Sequence, residues 1–230
     1  MAEERAGAAR AAAVETDGLT LRGPRGPVYR DVTLRVPAGG LVALAGIAGS
    51  GRTALLLTLG GRMRPSSGTA VIGGHPLPRG MRAVQRIAAL GVVTGVTDLE
   101  PALTVGEHVG EALDLHEGLF GRWRHRDRRI GAALDRVGLD VPLRTRADEL
   151  APDDARLLGA ALALVGDPGL LLLDDVDEGL PPVRQRALWE RLRALAGDVT
   201  IIAACHDPGP ADGLAQVVEL PDPRPVEASR

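Results

Sequence analysis

The sequence predicts an α/β fold: a mainly parallel sheet, an N-terminal antiparallel β part and an inserted helical subdomain. Three observations carry this prediction. The run LVALAG, residues 41–46, is almost wholly apolar, which suits a strand buried on both faces, and it feeds directly into the glycine-rich stretch GIAGSGRTALL, 46–56. Beyond residue 150, strand-like runs (LLLLD, VTIIAAC, AQVVEL) alternate with helical patterns (DARLLGAALALVG, PVRQRALWERLRAL), the order expected of a helix-covered parallel sheet. The stretch between shows helical periodicity.

Taken in chain order, residues 1–16 read as a disordered leader, with acids where a secretion signal carries bases. GLTLR, 18–22, and VYRDVTLRV, 28–36, predict an antiparallel pair across turn residues. TALLLTLGG reads as a helix stopped at Gly60 and Gly61, RPSSG as a turn, TAVIGG as a strand and ALGVVT, 89–94, as a further strand. Thr104 and Glu107 form a capping box that opens the helical part, which runs through EHVGEALDLHEGL and RRIGAALDRVGL with RWRHRDRR, 122–129, between them. The domain is expected over 17–220, its helical subdomain over about 97–166, and a proline-rich disordered tail over 221–230.

Composition narrows the function. A chain of 230 residues fits one domain. Its apolar runs fall far short of the roughly 18 residues needed to cross a bilayer. One cysteine, Cys205, excludes an intrachain disulfide framework and multi-cysteine metal sites, so a cytoplasmic location is the default. A net charge of -3 gives no general case for nucleic acid, and all 27 basic residues are arginines.

Gly46, Gly49, Ser50, Gly51, Arg52, Thr53 and Ala54 are spaced as a phosphate-binding loop, Gly-x4-Gly-Lys-Ser/Thr, with Arg52 in place of the lysine. Glycines at a strand-to-helix junction can cradle phosphate oxygens with backbone amides, or simply turn the chain. Asp174 and Asp175 close an apolar run about 120 residues later, where they fit either a magnesium-linked carboxylate pair or a turn. His206 follows a strand, where a lone histidine reads as an ordinary polar strand end. RWRHRDRR reads as solvated linker charge, with a nucleic-acid or membrane-surface role as the alternative.

These residues together resemble the ATP-binding cassette (ABC) ATPases from about residue 18 to 206. LAPDDARLLGAALALVGDPGLLLLDDVDEGL keeps the family's frame from signature to acidic strand without a gap: Leu150 stands at the signature leucine, Asp167-Pro168 at the common Asp-Pro and Asp174 at the magnesium aspartate. LEPALTVGEHV resembles the segment after the glutamine loop, and Cys205-His206 the switch histidine. The resemblance implies a phosphate-loop NTPase core that binds ATP and Mg2+, with Thr53 and Asp174 on the metal and Asp175 and His206 catalytic. It implies a second nucleotide-binding domain, in a homo- or heterodimer, and a polytopic membrane subunit. The expected place is cytoplasmic, peripheral on the inner face of the cell membrane, with no nucleic-acid partner.

The departures point to impaired hydrolysis, with a pseudo-ATPase of structural or regulatory role as the alternative. Arg52 keeps the charge but replaces a compact ammonium with a planar guanidinium. Asp175 replaces a glutamate with a stem one methylene shorter, and a misplacement of about 1 Å can cost on the order of a hundredfold in rate. Gly95 stands at the glutamine, Gly23 near an adenine-stacking aromatic with Tyr29 too far along to replace it, and Pro181 at an aspartate that links subunits. Ala151, Pro152, Asp153 and Asp154 replace the signature Ser-Gly-Gly-Gln. Two carboxylates facing a triphosphate would repel it by about 4 kcal/mol per close pair at an effective dielectric near 20.

Overall fold

The computed structural model describes residues 11–117 and 126–223. The N-terminal part is an antiparallel sheet. β1 (Val14–Gly23) and β2 (Gly26–Val36) pair as expected, although β1 takes in the last three residues of the expected leader. The cause is period-two burial: Val14 and Thr16 point inward, Glu15 points out, and Val14 pairs with both Val36 and Ile72. The rest of the expected leader, 1–10, lies outside the described residues, as does the tail from 224.

β3 (Leu41–Ala45) leads through the glycine loop into α1 (Arg52–Leu59), which stops at Gly60 and Gly61. β4 (Ser67–Ile72) and β5 (His75–Leu77) complete the antiparallel sheet in the order β2-β1-β4-β5. α2 (Met81–Ile87) then leads into β6 (Ala88–Leu90). The expected strand over 89–94 is thus only partly formed. Gly91 N–H makes the last ladder bond, to Leu172 O; beyond it Val93 N–H donates to Thr97 Oγ1, and Val96 and Thr97 N–H both turn back to Val93 O in a tight turn. β5 and α2 were not foreseen; three and seven residues are too short to show a period.

The helical part comprises α3 (Val105–Glu117), α4 (Arg126–Val137) and α5 (Pro152–Leu164). The Thr104–Glu107 capping box is formed: Thr104 N–H donates to Glu107 Oε2 at 2.8 Å and Glu107 N–H to Thr104 Oγ1 at 3.3 Å. Residues 122–125 of RWRHRDRR lie outside the described residues. β7 (Leu170–Leu173), α6 (Pro182–Leu195), β8 (Thr200–Cys205) and β9 (Gln216–Glu219) close the chain.

The second sheet has the order β6-β7-β8-β3-β9, and every pairing in it is parallel. β3 and β7 serve two cores, which is why they are apolar at every position, while the edge strand β9 carries Gln216 and Glu219. Leu41, Ala43 and Ala45 face the cluster built with α3 to α6, including Leu157, Leu188 and Trp189. Val42 and Leu44 face the antiparallel sheet and α1, against Leu19, Tyr29 and Leu56. Each fully buried leucine contributes about 1.5–3 kcal/mol. This double anchoring makes the C-terminal ends of β3, β7 and β8 a rigid base.

Candidate nucleotide site

Three adjacent parallel strands, β7, β8 and β3, deliver Asp174 and Asp175, His206, and the glycine loop to one edge, where ligands of open α/β sheets are expected. The loop is shaped by its glycines. Gly49 (φ 84°) and Gly51 (φ 89°) are left-handed, and a Cβ on Gly51 would stand 2.3 Å from Val28 O. Gly51 caps α1 without a side-chain partner, and no acid occupies the first turn, so the amides there remain open toward the loop.

Arg52 is 7% exposed and its Nη2 donates to Asp175 Oδ1 at 3.0 Å, with His206 Nε2 at 2.7 Å. Thr53 Oγ1 donates to Asp174 Oδ2 at 2.6 Å, and Asp175 N–H donates to Asp174 Oδ1 at 3.1 Å. Burial pushes the Asp174 carboxyl up from the ordinary range, and the Thr53 hydrogen bond opposes that rise. Asp175 itself has φ 39°, a left-handed conformation that costs a non-glycine residue about 1–2 kcal/mol. A cleft of about 100 Å³ opens between Val92, Thr94, Arg156 and the two aspartates.

Two buried polar groups lack a protein partner here: Ser50 Oγ and Arg52 Nη1. Buried donors are costly when unpaired, and both suit an anionic oxygen above the loop. Thr53 and Asp174 offer a hydroxyl and a carboxylate to a hard cation. Among the described residues no group of three or more His, Cys, Asp or Glu could hold a metal, so the rest of a magnesium shell fits phosphate oxygens and water.

Of the predicted site residues, the structure brings together Arg52, Thr53, Asp174, Asp175 and His206. The signature positions are turned elsewhere. Ala151 caps α5 and Pro152 is its first residue, with Asp153 and Asp154 in the first turn. Asp153 Oδ2 pairs with Arg184 Nε at 3.1 Å on α6, and burial followed by Asp153 raises the Asp154 carboxyl. Gly95 is left-handed and its N–H goes to Asp98 Oδ2. Tyr29 is fully buried, and its hydroxyl donates to Thr58 Oγ1 at 2.8 Å, so it packs the core.

Two residues were missed. Asp177 is buried and accepts the backbone N–H groups of His206 and Asp207 at 2.7 and 2.9 Å. Arg156 binds three carbonyls: Asp175 O through Nε at 3.0 Å, Pro152 O and Glu178 O through its terminal nitrogens at 2.8 and 2.7 Å. An aspartate three residues past Asp174 and an arginine one turn past Ala151 were the available signals.

A family profile described as ABC transporter matches residues 29–177. The chain is 32% identical over 183 residues to Nod factor export ATP-binding protein I of Cupriavidus pinatubonensis, covering 78% of this chain and 54% of that protein. It is 32% identical over 202 residues to the macrolide export ATP-binding/permease protein MacB of Syntrophobacter fumaroxidans, covering 85% of this chain and 28% of that one. The chain thus spans about half or less of the length of these curated relatives. Among solved structures, the dimeric ATP-binding cassette MJ0796 bound to ADP and Pi superposes with TM-score 0.74 at 21% identity, covering 91% of this chain and 95% of that one. CbiO1 of Clostridium perfringens, part of an ABC transporter complex, gives 0.77 at 21% identity, covering 92% and 85%.

Proposed function

Because the chain belongs to the ABC transporter family of ATP-binding proteins, we propose that it binds ATP with Mg2+ at the glycine loop and drives a separate membrane subunit, with slow hydrolysis. The observation that supports this best is the meeting of Thr53 with Asp174, and of Arg52 with Asp175 and His206, beside the unpartnered Ser50 Oγ and Arg52 Nη1.

In this reading the loop amides and Arg52 bind the phosphates, and Thr53 and Asp174 hold the metal, which when bound supplies positive charge against the phosphate oxygens. Asp175 orients the attacking water, and His206 meets the terminal phosphate. Arg52 has to leave Asp175 before that carboxylate can orient water, which is one source of slow turnover. The chain works as a pair, with a second copy or another cassette, on the cytoplasmic face of the membrane. Among the described residues no helix is long and apolar enough to cross a membrane.

A second reading, a cassette that binds nucleotide without turning it over, is favoured by the Arg52–Asp175 ion pair and by the proline and aspartates at the start of α5. Calorimetric titration with Mg-ATP and a phosphate-release assay separate the two. We expect binding by the wild type and at least about tenfold weaker binding by Arg52→Ala, the loss of one charge-assisted contact. Unchanged affinity in Arg52→Ala would remove the loop as the phosphate site. Binding with no phosphate release, with or without a membrane subunit, would leave only the second reading.

A further inference from the structure

The proposed chemistry uses one face of the His206 ring; the other face is held by Asp177. The Asp177 side chain is 4% exposed, and its Oδ1 lies 3.4 Å from His206 Nδ1 while its Oδ2 accepts the backbone N–H groups of His206 and Asp207. Across the ring, Arg52 Nη2 lies 2.7 Å from Nε2. Asp175 Oδ1 is farther, 3.9 Å from Nδ1. A guanidinium offers donors only and keeps its proton, so Nε2 can face it only with a lone pair. The single proton of the neutral ring then sits on Nδ1, opposite the Asp177 carboxylate.

We propose that Asp177 is a positioning residue that fixes His206 as the Nδ1–H tautomer and turns the Nε2 lone pair toward the glycine loop. The consequence for nucleotide rests on the reading given above. A lone pair suits Arg52 and gives a phosphate oxygen, itself an acceptor, no hydrogen bond. Asp177 therefore keeps His206 matched to Arg52 in the nucleotide-free chain and weakens its grip on a terminal phosphate.

Asp177→Asn separates this from a merely structural role. The amide oxygen can still accept the two backbone N–H groups, while the amide N–H2 faces Nδ1 and favours its lone pair. The ring proton then moves to Nε2, and Arg52, which cannot donate to a protonated nitrogen, gives up that contact and keeps Asp175. The test is a long-range nitrogen–proton correlation spectrum of the 15N-labelled full chain without nucleotide, at mildly alkaline pH, with His206→Gln identifying the His206 signals. The expected wild-type pattern has Nδ1 protonated and Nε2 bare, reversed in Asp177→Asn. A wild-type proton on Nε2, or an unchanged pattern in Asp177→Asn, overturns the proposal. If the variant does not fold, Arg52→Ala decides: a proton kept on Nδ1 there marks Asp177 as the group that sets the tautomer, and a proton on Nε2 overturns the proposal.

Titration of the same samples with ATP and ADP reads the functional arm. Asp177→Asn is expected to raise the preference for ATP over ADP by about tenfold, the gain of one hydrogen bond to a charged oxygen. An unchanged preference would overturn that arm. Failure of the wild type to bind either nucleotide would sink the nucleotide-site reading and leave the tautomer result standing, since the spectra need no nucleotide.

Discussion

The glycine loop and the first turn of α5 are both helix starts, and they end in opposite ways. At α1 the cap is a left-handed glycine, the first turn holds no acid, and the amides stay open. At α5 a proline removes the first amide donor and two aspartates occupy the turn, one of them paired with Arg184. The positive end of the α5 dipole is already answered by its own carboxylates, whereas that of α1 is not. The comparison teaches that a loop shaped by backbone keeps open amides with an arginine at position 52, because the arginine side chain turns to Asp175. The head of α5 instead offers a proline without an amide hydrogen and an aspartate paired with Arg184.

The largest expected effect breaks the loop side. Gly51→Val places a Cβ against Val28 O in a left-handed conformation and should cost more than about 2 kcal/mol, read as a fall in Tm. Ala151→Val, at the corresponding position before α5, sits in extended backbone and should cost less than about 1 kcal/mol. Equal losses would remove the distinction between the two starts. Next, Asp174→Asn should lower magnesium-dependent ATP affinity on the order of a hundredfold while leaving affinity in chelator nearly unchanged. Calorimetry with and without magnesium checks this; equal losses in both would detach Asp174 from the metal.

Restoring the other side sharpens the contrast. The combined change A151S, P152G, D153G and D154Q should cost about 1 kcal/mol at the start of α5 and strengthen ATP-dependent self-association severalfold, measured by sedimentation. Association equal to the wild type would mean that these residues do not set the two ends apart. The smallest effect tests the base both share. Burial pushes the Cys205 thiol up to about 12, so thiolate is scarce at neutral pH and a thiol reagent should leave the native chain unmodified until denaturant is added. Since the folded value lies above the ordinary one, stability should decline as pH rises from the usual thiol range toward about 12. Rapid native labelling would show that the end of β8 opens.

Much of this was legible because it rests on local pattern. Continuous apolar runs gave β3, β7 and β8, and the glycine spacing gave the loop, since both are dictated by burial and by backbone sterics. The strand expected at 89–94 failed past Leu90 because its fate depended on hydrogen bonds within the Val93–Thr97 turn, which no period encodes. Asp177 escaped notice because its partners are backbone amides 29 and 30 positions away. The orientation of Asp153 depended on Arg184, on a different helix.

Arg156 ties the second of these helix starts, that of α5, to the segment that follows β7. One guanidinium clasps Pro152 at the head of α5 together with Asp175 and Glu178 beyond β7. Rotation of α5 cannot leave that loop behind without breaking two charge-assisted hydrogen bonds at once, to Asp175 O and Glu178 O. The head of α5 and the carboxylate nearest Arg52 thus form a single lever, and a push delivered to one arm arrives at the other as displacement.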